Sequence, residues 1–297
     1  MANLDIITPV ESAGELPVVR TIGLDDLKQA LSAGLADFKA MPTHVIFLCV
    51  IYPIAGLLIG RATFGYDVVP LLYPLAAGFA LIGPFAAIGL YELSRRREAG
   101  LDTSWKHAFD VVHSPSFKSI LALGLLLLIL FLVWIAVAHA IYILSFGYAE
   151  PNNAATFLHQ VLTTPEGRRM IVVGNSVGFL FAVIALTVSA ISFPLLLDRH
   201  VSVATAILTS ARVVAQNPAT MAVWGLIVAA SLFAGMLPLF LGLAVVIPVL
   251  GHATWHLYRR ALEPDSGPRP DFHPTPRGVR YAAEFPSSLF ASRRDDQ

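Results

Sequence analysis

His252 and His256 stand four residues apart, so on a helix they share one face. Two imidazoles at that spacing can ligate a metal ion or the edge of a haem. His44 falls at the same level of the hydrophobic pattern and completes a candidate set of three ligands. No acidic residue separates His252 from His256, so the zinc-protease pattern is absent. The competing reading is a polar-aromatic helix end, with Trp255, Tyr258, Arg259 and Arg260 as membrane-interface anchors. Glu92 precedes Arg95 and Arg96 by about one turn and can pair with them or with His256. A Glu92–His256 pair would clamp two hairpins at their inner ends. His139, Asn175 and Ser176 sit deeper in apolar segments and are the evident linings for any polar path. Each also reads as ordinary hydrogen-bonding glue between helices.

No phosphate loop, dinucleotide fingerprint or nucleophile elbow occurs in the sequence. The single cysteine, Cys49, excludes an intramolecular disulfide and a cysteine metal cluster. These absences favour a non-enzymatic chain without a bound cofactor.

The elements that position these residues are membrane spans. The chain has 297 residues, 56% hydrophobic and 13% charged, whereas soluble domains carry roughly a quarter charged residues. Charge nearly vanishes from long blocks and is ordinary between them. The class is therefore all-α, a polytopic membrane helix bundle. Six spans are expected, at about 43–60, 70–93, 119–146, 171–197, 219–235 and 237–258. The apolar block 219–258 is twice a single span, so it must turn, and Gly235 to Pro238 supplies the breakers. Residues 1–20 read as a disordered N-terminal segment without a signal peptide, 21–262 as the membrane domain, and 263–297 as a disordered tail.

Of the 20 lysines and arginines, Arg61, Arg168 and Arg169 alone fall on one side of this pattern. Both termini are accordingly expected in the cytoplasm. Basic and acidic residues are equal in number, 20 each, so net charge gives no argument for nucleic acid.

Three interfacial amphipathic helices are expected on the cytoplasmic side. The first covers 24–41, with a stripe of Leu24, Leu27, Leu31, Leu35 and Phe38, and ends at Pro42. The second carries Trp105, Ala108, Phe109 and Val112 and ends at Pro115. The third carries Ala204, Ile207, Ala211 and Val214 and ends at Pro218. Each leads through a proline into a pair of spans. Pro84 and Pro248 are each followed eight residues later by Glu92 and His256, and then by paired arginines. Two readings stand: a threefold repeat of interfacial helix plus hairpin, or boundary chemistry that all such hairpins share.

Several motifs carry a resemblance. They are Arg20-Thr21-Ile22 with Asp26-Leu27, Ala30-Leu31, Gly34 and Asp37-Phe38; Gly83-Pro84 through Gly89-Leu90-Tyr91-Glu92-Leu93-Ser94-Arg95-Arg96; Thr209-Ser210 through Asn217-Pro218; and Pro248 through Gly251-His252-Ala253-Thr254-Trp255-His256-Leu257-Tyr258-Arg259. Over residues 20–262 the chain resembles the proteobacterial integral membrane family called domain of unknown function 2189. The resemblance implies a bacterial inner-membrane location and no particular activity. The expected function is scaffolding or assembly, with the lipid bilayer, other inner-membrane proteins or a second copy as partners. The alternatives are a small-molecule transporter or channel, and a haem or metal protein using His252, His256 and His44.

Overall fold

The computed structural model describes residues 16–41, 87–148, 154–238 and 242–264, with short pieces at 56, 69–71, 73–75, 78 and 83–85. The span expected at 43–60, including His44 and Cys49, lies outside these residues apart from Gly56. So do parts of the span expected at 70–93, and 265–297.

Nine α-helices are described: α1 Leu24–Ala40, α2 Ile88–Glu98, α3 Phe117–Phe146, α4 Ala154–Thr163, α5 Pro165–Ser189, α6 Ser192–Asp198, α7 Val203–Gln216, α8 Pro218–Met236 and α9 Leu243–Ala261. A 3₁₀ helix, Trp105–His113, lies between α2 and α3. Residues 16–20, expected to lack structure, instead run extended beside the end of α9. Val19 bridges Leu262, and the Arg20 amide donates to the Ala261 carbonyl at 2.8 Å. Helix α4, in the loop after α3, was not evident from the sequence.

Among the described residues three helices are long and apolar enough to cross a membrane: Phe117–Phe146, Pro165–Asp198 and Pro218–Met236. The second is broken at Ala190–Ile191, between α5 and α6. The break has a local cause. Pro194 has no amide proton to give the carbonyl four residues earlier, that of Ala190. The block 219–258 does turn close to Gly235–Pro238, for α8 ends at Met236 and α9 begins at Leu243. Gly235 and Gly242 meet backbone to backbone there, and a Cβ on Gly242 would come within 2.8 Å of the Gly235 Cα.

The helices sort into an inner and an outer set. α2, α6 and α9 touch one another pairwise, and all seven residues of α6 are buried. By contrast only 22% of the apolar window of α3 and 17% of that of α8 is buried. Those helices turn leucines such as Leu125, Leu132 and Leu226 outward, as a lipid-facing surface must. The three amphipathic segments lie against the inner helices: α1 on α9, the 3₁₀ helix on α2, and α7 on α6.

The faces these segments bury differ from the stripes read from sequence. α1 buries Leu27, Ala30, Gly34 and Asp37 and leaves Leu24 and Leu35 exposed. α7 buries Ala206, Thr209, Ser210 and Val213. Between 105 and 113 the chain winds as 3₁₀, at three residues per turn. That winding places Ala108 and Val111 inside and turns Phe109 and Val112 out. In α1 and the 3₁₀ helix a small residue, Gly34 or Ala108, stands at a close contact with the inner helix. Without a difference in polarity between lipid and protein, helices associate through close backbone approach.

Gly34 is the extreme example. A Cβ at this position would lie 2.5 Å from the Ala253 backbone nitrogen, so α1 and α9 could not stay at their present separation. Gly34→Ala should therefore destabilise the detergent-solubilised protein by about 1–3 kcal/mol, read as a drop in its thermal unfolding midpoint. An unchanged midpoint would disprove the crossing.

Candidate functional site

The C-termini of α2, α6 and α9 gather at one end of the bundle, where Glu98 and Asp198 both meet Arg259. α1 runs against α9 in the opposite direction, with Asp26 beside Arg260 and Gly34 beside Ala253, so its last turn meets α9 further from that end. Asp37 occupies the last turn of α1 and is 4% exposed. A carboxylate there opposes the helix macrodipole, which is negative at the C-terminus, so it needs donors from elsewhere. α2 and α9 provide them. The Ser94 hydroxyl donates to Asp37 Oδ2 at 2.6 Å. His256 Nε2 lies 2.8 Å from the same oxygen. The Arg97 guanidinium bonds Oδ1.

His252, fully buried, reaches Asp37 through Ser94, with its Nδ1 2.6 Å from the Ser94 oxygen. A hydroxyl has one proton, and the Ser94 oxygen stands between the Asp37 carboxylate and the His252 imidazole. His252 Nε2 is buried without a hydrogen-bond partner among the described residues. The order of groups is carboxylate, serine, imidazole. Acyl-transfer catalysis needs the imidazole to take the serine proton. Here a carboxylate and an imidazole stand at equal distance, 2.6 Å, from the Ser94 oxygen.

His252 and His256 do share a face, but they converge on Asp37. His256 spends its Nε2 on the carboxylate and His252 spends its Nδ1 on Ser94. Among the described residues no group of three histidine, cysteine or acidic side chains is placed to hold a metal ion. Glu92 takes the first of the two partners expected for it. Arg95 grips it at 2.8 and 3.0 Å and Arg96 stands 3.8 Å away. The Glu92–His256 clamp is thus replaced. The side chain that joins the two hairpins is Asp37, one helix earlier in the chain. Its signals in the sequence were Gly34 three residues before it and the proline five residues after it, a spacing that Asp110 and Pro115 repeat.

Two further links extend the network. Glu98 of α2 accepts from the Trp255 ring nitrogen at 3.0 Å and from Arg259 at 2.8 Å. Asp198 of α6 accepts from the Tyr258 hydroxyl at 2.7 Å and from Arg259 at 3.4 Å. Arg259 of α9 therefore bridges the ends of the other two inner helices.

The residues expected deeper in the bundle lie apart from this network and face outward. His139, Asn175 and Ser176 are exposed. Asn175 is tied locally, donating to the Ile171 carbonyl and accepting from the Tyr73 hydroxyl, each at 2.8 Å. Two small cavities lie among the described residues. One is lined by Phe85, Leu90, Phe109 and their neighbours, the other by Ile141, Leu144, Ser145, Arg169 and Val173. Neither includes the histidines or the Asn175–Ser176 pair.

A helical bundle with lipid-facing apolar helices and its buried charge gathered at one end is an integral membrane protein. Residues 72–198 match the family described as predicted integral membrane protein (DUF2189). This is a shorter stretch than the 20–262 over which the motifs were read; it includes Glu92, Ser94 and Arg97 but neither Asp37 nor the two histidines. No curated protein and no solved structure matches the chain.

Burial alone would raise the pKa of Asp37, but the hydrogen bonds from His256 and Ser94 and the favourable field of the neighbouring imidazoles outweigh it, holding the carboxyl below its ordinary range. A depressed carboxylate stabilises the fold fully above its unfolded value, about 3.9, and that contribution is lost as pH falls through the folded value. The groups facing it are Arg97, His252 and His256. Asp37→Asn should lower the unfolding midpoint at neutral pH by the equivalent of about 3–5 kcal/mol, because it leaves Arg97 and His256 without their acceptor. The gap between the two proteins should narrow as the pH drops below about 4. A gap that is constant with pH in thermal melts would show that the carboxylate charge is not what holds the end together.

Proposed function

We propose that this chain is a six-span protein of the bacterial inner membrane, with both termini in the cytoplasm, and that it serves as a non-enzymatic scaffold or assembly factor. The partners envisaged are other inner-membrane proteins or a second copy. The observation that carries the reading is the mutual saturation of Asp37, Ser94, His256, Arg97, Glu98 and Arg259. These groups hold α1, α2, α6 and α9 together and leave little polar capacity turned toward a substrate.

Three features support a unit of interfacial helix plus hairpin, used three times. Each amphipathic segment rests on an inner helix. Asp37 and Asp110 stand five residues before Pro42 and Pro115. α1 packs on the last helix of the chain, which closes the set. Six spans and cytoplasmic ends follow from the hydropathy and the distribution of arginines.

A reporter active only in the cytoplasm, fused after Gln297, tests the topology; activity confined to a periplasmic reporter would refute it. Gently extracted protein should run as a complex of fixed stoichiometry, and vesicles containing the purified chain should pass ions and small solutes no faster than empty ones. Specific flux would overturn the scaffold reading in favour of transport. A haem absorption band or one tightly held metal per chain would overturn it in favour of the histidine reading.

A further inference from the structure

We propose that the groove between α2, the 3₁₀ helix and the start of α3 is a binding site for an anionic phospholipid of the surrounding bilayer, which inserts part of one acyl chain. The groove has a volume of about 240 Å³ and predominantly apolar walls, formed by Phe85, Leu90, Phe109, Val112, Phe117 and Ile120 with their neighbours. Phe85, Phe109 and Val112 are exposed, so it opens to the surface.

The 3₁₀ winding creates this surface. Side chains three apart are eclipsed, which sets Lys106, Phe109 and Val112 in one exposed row while Ala108 and Val111 close on α2. Gly89 permits that approach, for a Cβ there would lie 3.1 Å from the Ala108 Cβ. The row runs from a cation to two apolar side chains, the polarity of a lipid read from phosphate to tail. Trp105 stands edge-on to Phe109, ring centres 6.1 Å apart, as aromatic side chains do at a membrane interface.

Charge selects the lipid class. The acids of this segment are already engaged: Asp110 holds His107 at 2.6 Å and Arg96 at 3.1 Å, and Asp102 holds His107 at 3.1 Å. Lys106 and Lys118 are exposed and have no acidic partner among the described residues. Lys118 directly follows the groove residue Phe117. Lys106, in the row of Phe109 and Val112, and Lys118 set this unpaired positive charge in two of the segments that form the slot. A water-soluble ligand would need polar side chains within the slot to fix its orientation, and none lines its walls. The volume falls below the roughly 300 Å³ at which drug-sized pockets begin and suits a chain segment. The proposal needs only the membrane setting, so failure of the scaffold reading would leave it intact.

The test is quenching of Trp105 fluorescence by brominated lipid. Full-length protein is reconstituted in phosphatidylcholine vesicles with equal mole fractions of brominated phosphatidylglycerol or brominated phosphatidylcholine. Subtracting the signal of Trp105→Phe isolates this tryptophan from the other three. Phosphatidylglycerol should be favoured on the order of fivefold per lysine at low salt, and the preference should vanish in Lys106→Glu/Lys118→Glu. Equal quenching by both lipids, or no quenching of Trp105 by either, would overturn the proposal, the latter because the groove would be covered by protein. A preference that survives in the double variant would overturn it as well. Should the double variant fail to fold, seen as aggregation on gel filtration, Val112→Asp must lower the preference in its place, and an unchanged preference would refute the site.

Discussion

The Asp37 carboxylate accepts from a serine, a histidine and an arginine supplied by two other helices, and the arrangement of this end of the bundle follows from its needs. An ion withdrawn from water costs several kcal/mol even after relaxation. At the C-terminal turn of α1 the macrodipole adds to that cost. The carboxylate is tolerable only if α2 brings Ser94 and Arg97 and α9 brings His256 to it. The partners are strict about geometry, so meeting the requirement fixes how the three helices sit. Glu98, Asp198 and Arg259 extend the same logic to α6.

The opposite solvent condition governs the rest of the helices. In water an apolar stripe identifies the face that packs. In lipid it does not, since hydrocarbon solvates leucine as well as another helix does. The buried faces of α1 and α7 are consequently built from Ala30, Gly34, Ala206 and Ser210, while Leu24, Leu35 and Leu208 face out. What holds these helices to their neighbours is close backbone approach together with the polar links at their ends.

Proline sets the shape of the inner helices. Pro194 divides the second long span into α5 and α6, and Ser192 then bonds the carbonyls of Val188 and Ala206 at 2.5 and 3.1 Å, re-satisfying backbone near the break. Pro248 lies within α9 and is buried. Segment α6 is the most completely enclosed element described, lodged between α2, α7 and α9.

The sequence alone determined that this is a helical membrane protein, that residues 219–258 must turn near Gly235, and that the interesting polar groups collect around Glu92, His252 and His256. Length, charge deficit and breaker residues report these directly, because the bilayer imposes span length and excludes charge. Only the tertiary structure decided the partners. Glu92 and His256 occupy matching positions after Pro84 and Pro248, yet Glu92 turns to Arg95 and His256 turns to Asp37. Spacing along a helix tells which residues share a face; it does not tell which helix that face will meet. The same limit applied between 105 and 113. There a period of 3.6 and a period of 3.0 fit the same residues, and the choice that exposed Phe109 and Val112 was made by how closely Ala108 could approach Gly89.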